Sequence, residues 1–202
     1  MLTDKARQLA AGILNPIARA LARIGLTPNM LTVIGFLFNV FVAWVLSRGA
    51  GWWVWGGVLL ILSSIFDAFD GAVARQSGQV SKFGGFLDST LDRASEAVVY
   101  FGLLYAYLNT TPPATVEPLL IFIATVGSLL VSYTRARVEG LGATMKDGWF
   151  TRLERIVVLV VGLLLSSIFP QIMLIVLAVL AVGTVITAIQ RILVARAKLT
   201  AE

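Results

Sequence analysis

The 202-residue chain has no cysteine and no histidine. Disulfides, thiolate chemistry and imidazole ligands or bases are therefore excluded. Any acid–base or metal chemistry falls to Asp, Glu, Lys, Tyr or backbone oxygen. Charge is scarce as well: 13% of residues are charged against 58% apolar, and mean hydropathy is +0.89. A soluble domain of this length carries about 25% charged residues, so that class is excluded too.

Uncharged runs take the place of charge: Ile24–Ser47, Gly49–Phe66, Ala97–Val116, Pro118–Thr134 and Ile156–Gln190. A bilayer span needs about 20 apolar residues. The last run holds 35 residues, about 52 Å as a single helix, so it reads as two spans turning at Pro170 in "SSIFPQ". The pattern predicts an all-α integral membrane protein. Its six transmembrane helices lie near 30–48, 52–74, 84–108, 116–138, 150–168 and 172–195, preceded by an N-terminal interfacial amphipathic helix. Residues 1–24 form that helix and 25–202 the membrane domain.

Within 1–24, Leu9, Ile13, Leu14, Ile17, Leu21 and Ile24 keep near-helical spacing, with Lys5, Arg19 and Arg23 off the stripe and a bend at Pro16. A signal peptide is the competing reading. However, "LAAGIL" is short, and Pro16, Arg19 and Arg23 stand where a cleavage site is expected. "LTPNMLT" opens the first span, with Pro28 in the first turn and Asn29 or Thr32 as its cap. Trp52, Trp53 and Trp55 are expected as an interfacial belt.

With six spans, fifteen of the sixteen Lys and Arg residues share the side of both termini, and only Arg48 lies opposite. The positive-inside rule then places both termini in the cytoplasm. A basic cytoplasmic face, with net charge +5, suits anionic headgroups or phosphorylated substrates. Nothing in the sequence resembles a nucleic-acid-binding module.

Against this background, "FDAFDGAVARQSGQVSKFGGFLDSTLDRASE" (Phe66 to Glu96) is dense in carboxylates. Asp67 and Asp70 share a helix face, continued by Gly71 and Ala74, and Arg75 follows. Gly84, Asp88 and Asp92, at i, i+4 and i+8, form one face of the next helix. A hairpin brings the two faces together, and four carboxylates there need compensation. All-oxygen ligands favour Mg²⁺ or Mn²⁺, and two ions sharing carboxylates make a clamp for phosphoryl chemistry. The small residues leave room for a bulky ligand, and Arg75 is placed to hold a phosphate. A solvated loop is the bland alternative. Against it, Asp67 ends an uncharged run, Asp88 and Asp92 lead into one, and ionisable residues at membrane depth are generally functional.

The segment Asp67-x2-Asp70-Gly71-x2-Ala74-Arg75-x8-Gly84-x3-Asp88-x3-Asp92 resembles, without a mismatch, the signature of the CDP-alcohol phosphotransferase family. The family also shares the layout of an interfacial helix followed by six spans. Its members transfer a phosphatidyl group from a CDP-linked lipid, such as CDP-diacylglycerol, to an alcohol and release CMP. The resemblance implies that Asp67, Asp70, Asp88 and Asp92 bind the divalent metals and that Asp92 is the general base. Asp67, Asp70, Gly71, Ala74 and Arg75 would frame the cytidine diphosphate, and Asn29 or Thr32 would border that pocket, unless each serves only as a helix cap. It also implies a homodimer.

A second group is basic: "SYTRARVEGLG" (Ser132 to Gly142), "TRLER" (Thr151 to Arg155) and Arg191. Arg135 sits within its helix end, Arg152 and Arg155 share a face at i, i+3, and Arg191 follows the longest uncharged run. Converging arginines form a pocket for a phosphorylated acceptor, whereas the plain alternative is topological anchoring. The arrangement resembles the phosphatidylinositol-phosphate synthase branch, in which Ser132, Arg135, Arg155 and Arg191 would hold inositol phosphate. Lys is commoner at position 135 in that branch, and Arg grips phosphate as well. A phosphatidylglycerol-phosphate synthase using glycerol 3-phosphate is the alternative within the family, and an ether-lipid donor is a further variant. A divalent-cation transporter is the alternative from another class; it calls for ionisable groups at the midplane, often on broken helices.

Overall fold

The computed structural model describes residues 16–145, 147–169 and 171–200. Helix α1 covers 16–23 of the described chain. It is followed by α2 (Pro28–Leu46), a 3₁₀ turn (Ala50–Trp52), α3 (Trp53–Ser77), α4 (Lys82–Leu108), α5 (Val116–Gly140), α6 (Arg152–Leu165) and α7 (Ile172–Leu199). There is no strand among the described residues. The amphipathic reading of 1–24 falls largely on residues outside those described; the helical part, 16–23, is pinned by Ala18. That side chain is buried against Leu31, Ala72 and Val73 of α2 and α3.

Among the described residues, four helices are long and apolar enough to cross a membrane: α2, α3 with its 3₁₀ turn, α5 and α7. α4 carries Lys82, Asp88, Asp92, Arg93 and Glu96, and α6 has only 14 residues. α2 packs on α3 and α4, α3 on α6, α5 on α4 and α7, and α6 on α7. The core between them is built on Leu46, Tyr100, Leu103, Leu163, Leu177 and Leu180. Apolar side chains also cover the outside of the bundle, and small polar ones lie within it. Leu37, Phe41, Leu62, Phe101, Phe122 and Ile186 are exposed, while Asn39, Ser63, Ser95, Ser128, Thr184 and Thr187 are buried. Such an outer surface is stable against lipid, not water.

Two local expectations are corrected. The cap of α2 is Thr27, whose side chain accepts from the Met30 N–H at 3.3 Å. Preceding Pro28, Thr27 is pushed into extended backbone, which suits a cap. Thr32 is thereby released for another contact. Of the three tryptophans, Trp52 and Trp55 are exposed, but Trp53 is buried. The Trp53 indole stacks at a tilt on Tyr107 and donates to the Leu46 carbonyl at 3.2 Å. A buried indole N–H needs such a partner.

Candidate active site

The acids lie inside helices rather than on a loop between them. α3 continues past its expected end to Ser77, where Gly78 closes it in the left-handed conformation (φ 67°). Ser81 then caps α4, accepting from the Gly84 N–H at 3.0 Å. The resulting hairpin sets Asp67 and Asp70 of α3 against Asp88 and Asp92 of α4. Asp88 lies within electrostatic reach of the other three. Thr32 of α2 donates to Asp70 Oδ2 at 2.9 Å. Gly35 lets α2 approach the same cluster: a Cβ there would stand 2.9 Å from Asp67 Oδ1.

Arg152 of α6 enters this group. Its Nη2 lies 3.1 Å from Asp67 Oδ2 and its Nη1 2.7 Å from Asp92 Oδ1. No three acidic side chains among the described residues are grouped closely enough around one point to hold a metal ion. The chemistry of the donor set nonetheless fits a hard divalent cation: four carboxylates on facing helices, in a chain with no histidine or cysteine.

Three cavities border the acids: an open one of about 930 Å³ runs along α4 and α5 past Asp88, Asp92, Ser132 and Arg135, and two smaller ones have contrasting linings. The first of these, about 230 Å³, is lined by Asp70, Gly71, Ala74, Arg75 and Asp88, together with Asn29, Thr32 and the 79–85 turn. Arg75 folds back over Gly71, where a Cβ would stand 3.3 Å from its Nη1. A Cβ at Gly84 would lie 3.2 Å from Asn29 Oδ1. Small residues thus keep this cavity open, and Asp67 is not among its lining residues.

The second cavity, about 280 Å³, brings together Ser132, Arg135, Arg152, Arg155 and Arg191, with Asp92 on its wall. Arg93, Glu96 and Thr151 also line it and were not singled out from the sequence. The arginines differ in their freedom. Arg135 pairs at the surface with Glu139, Nε to Oε1 at 2.8 Å. Arg191 is buried; it donates through Nε to the Asp147 carbonyl at 2.9 Å and through Nη1 to the Val131 carbonyl. Arg155 is 2% exposed and doubly bonded to Glu96.

The two smaller cavities share α4: Asp88 rims the small-residue side, and Asp92, one turn on, rims the arginine side. All of these groups lie at one end of the bundle. The ion pairs of Arg152 join α3, α4 and α6 there, and Arg191 joins α7 to Val131 of α5 and to the loop before α6.

The family model for CDP-alcohol phosphatidyltransferase matches residues 25–197. The archaetidylinositol phosphate synthase of Pyrococcus horikoshii is 36% identical over 199 residues, covering 98% of this chain and 98% of that protein. The phosphatidylinositol phosphate synthase of Corynebacterium glutamicum is 36% identical over 200 residues, covering 96% and 89%. Among solved structures, Mycobacterium tuberculosis phosphatidylinositol phosphate synthase with CDP-DAG bound superposes with a TM-score of 0.86. It is 33% identical, over 92% of this chain and 94% of that one. The same enzyme in complex with manganese and citrate gives 0.84 at 32% identity, over 92% and 90%. Paired carboxylates beside a small-residue cavity, in a helical bundle with a lipid-compatible surface, are thus accounted for: the chain is an integral membrane enzyme of the CDP-alcohol phosphatidyltransferase family.

Proposed function

We propose that the chain transfers a phosphatidyl group from CDP-diacylglycerol, or the corresponding group from an ether-linked CDP-lipid, to inositol phosphate, giving phosphatidylinositol phosphate or its ether analogue and CMP. The observation that carries the reading is the shared wall of α4. Asp88 faces a cavity of small residues suited to a nucleotide, and Asp92 faces one lined by arginines and Ser132. A CDP headgroup in the first and a phosphorylated alcohol in the second meet at the acids.

In this reading Asp70, Gly71, Ala74 and Arg75 of the first cavity hold the cytidine diphosphate, Asp67 acts beside that lining as a metal ligand, and Thr32 orients the Asp70 carboxylate through its hydrogen bond. Ser132, Arg135, Arg152, Arg155 and Arg191 hold the acceptor phosphate. Asp92 takes the proton of the acceptor hydroxyl as its oxygen bonds to the β-phosphorus and the bond to CMP breaks. With no histidine in the chain, a carboxylate is the natural base. Asp67, Asp70, Asp88 and Asp92 would hold two Mg²⁺ or Mn²⁺ ions, which supply positive charge to the phosphate under attack.

Six spans, α1 in the interface and both termini on the cytoplasmic side place this end of the bundle where a water-soluble acceptor arrives. The family likeness adds a homodimer. Gathering of the acids at one end argues against a cation path through the bilayer. Glycerol 3-phosphate stays as the second reading, because the cationic groups of the acceptor cavity recognise phosphate rather than an inositol ring.

An acceptor panel in lipid nanodiscs decides between them: inositol phosphate, glycerol 3-phosphate, free inositol and serine, each with one labelled CDP-lipid, read by product mass and CMP release. Phosphatidylinositol phosphate from inositol phosphate alone is expected. Turnover with glycerol 3-phosphate alone selects the second reading, and preference for free inositol removes the acceptor-phosphate site.

A further inference from the structure

One turn beyond Asp92 on α4, Glu96 meets Arg155, which lies one turn beyond Arg152 on α6. The helices are therefore joined by two successive rungs. The outer, Asp92 with Arg152, is a quarter to a third exposed, at 24% and 31%. The inner is nearly closed to solvent, with Arg155 at 2% and Glu96 at 12%. It is also the better made: Arg155 Nε lies 2.6 Å from Glu96 Oε1 and Nη2 2.7 Å from Oε2. Ser128 of α5 donates to the same Oε1 at 3.1 Å, and Arg155 Nη1 donates to the Phe150 carbonyl at 3.1 Å.

A guanidinium has five N–H bonds in a rigid plane. Three of those on Arg155 are occupied by Glu96 and Phe150, which leaves two. Since Arg155 lines the arginine cavity, the direction of the remaining donors is set by whatever fixes the plane. A fork-on-fork carboxylate fixes it, and without that carboxylate the arginine would be a buried charge lacking compensation.

We propose that Glu96 is a positioning residue for the acceptor: it orients Arg155, and with it the first turn of α6, so that the acceptor phosphate meets a preset guanidinium. Glu96 acts through Arg155 and takes no part in the bonds that change. Ser128, by bonding Glu96, sets the carboxylate in turn. The inference rests on the acceptor-phosphate reading given above.

The test compares Glu96→Gln, Glu96→Asp and Ser128→Ala with the full-length wild type in nanodiscs. KM for inositol phosphate, KM for CDP-diacylglycerol, kcat and the melting temperature are measured for each. Glu96→Gln keeps the shape and loses the charge, so the acceptor KM should rise roughly 10- to 100-fold, with the CDP-lipid KM within about twofold of wild type. Glu96→Asp should recover part of the loss. Ser128→Ala should raise the acceptor KM by roughly 2- to 5-fold, the scale of one hydrogen bond. A folded Glu96→Gln protein with an unchanged acceptor KM, or with both KM values raised alike, overturns the proposal. If Glu96→Gln does not fold, an unchanged acceptor KM in Ser128→Ala overturns it. Absence of wild-type turnover with inositol phosphate overturns the acceptor reading instead, and is established before any variant is compared.

Discussion

Arg152 and Asp92 form the ion pair that joins the arginine cavity to the acids: Nη1 to Oδ1 is 2.7 Å, while the other arm of the same guanidinium reaches Asp67 at 3.1 Å. One cation thus compensates two carboxylates proposed to bind metal. A divalent ion on those carboxylates has to compete with it. Arg152→Gln removes the competitor, so Mn²⁺ should bind roughly tenfold more tightly in calorimetric titration of the purified protein. The acceptor KM should rise in the same variant, since a phosphate ligand is lost. Unchanged or weakened Mn²⁺ binding would show that the pair does not screen the metal site.

Asp92→Asn separates chemistry from binding of the CDP-lipid. The amide keeps the shape of the side chain and Arg152 keeps Asp67 as a partner, but the amide cannot accept a proton and is a weaker metal ligand, so turnover is measured at saturating Mn²⁺. Turnover should fall by roughly 10²- to 10⁴-fold, the usual contribution of a general base, with CDP-lipid binding largely retained. Single-turnover CMP release, alongside equilibrium binding of the CDP-lipid, measures both. Near-normal turnover would take the role of base from Asp92.

Two glycine substitutions should part stability from activity. At Gly102 of α4 a Cβ would fall 2.3 Å from the backbone oxygen of Ala43 on α2. Backbone cannot swing aside, so Gly102→Ala must separate the helices and should cost about 1–3 kcal/mol of stability. At Gly35 the obstacle is the Asp67 carboxylate at 2.9 Å, the end of a side chain. Gly35→Ala should therefore leave the melting temperature almost unchanged while displacing Asp67 and lowering kcat by roughly tenfold. Equal losses of stability in the two variants would contradict the distinction.

The acids were legible in the sequence because two helical periods carry them and because charge in an apolar chain stands out. Asp67 with Asp70, and Asp88 with Asp92, read as two faces from their spacing alone. Glu96 was not legible: it looks like one more charge before the apolar stretch, and its partner Arg155 lies 59 residues on. Thr32 was legible only in part. Near a helix start a threonine reads as a cap as readily as a border of the nucleotide pocket, and only the placement of Thr27 as the cap frees it for Asp70, 38 residues away. Trp53 was misassigned because "GAGWW" gives no sign of which ring turns inward. Sequence spacing reports neighbours along a helix; partners across helices depend on packing that no local pattern encodes.

The loop before α6 supplies a pH test. Lys198 Nζ of α7 lies 2.6 Å from Asp147 Oδ2 and donates to the Thr144 carbonyl at 3.0 Å, so the end of α7 holds the segment leading to Arg152. The hydrogen bond from Lys198 keeps the Asp147 carboxyl below its ordinary value of 3.8. Because the folded value lies below the unfolded one, the carboxylate contributes stability above the ordinary value and loses it as pH falls through the depressed one. Asp147→Asn should therefore melt slightly below wild type near neutral pH, and the two proteins should converge in acid below that range. The pair is exposed, so the difference should also shrink in about 1 M salt, where the screening length is roughly 3 Å. A difference that persists in acid and in salt would mean that Asp147 holds the loop through its shape rather than its charge.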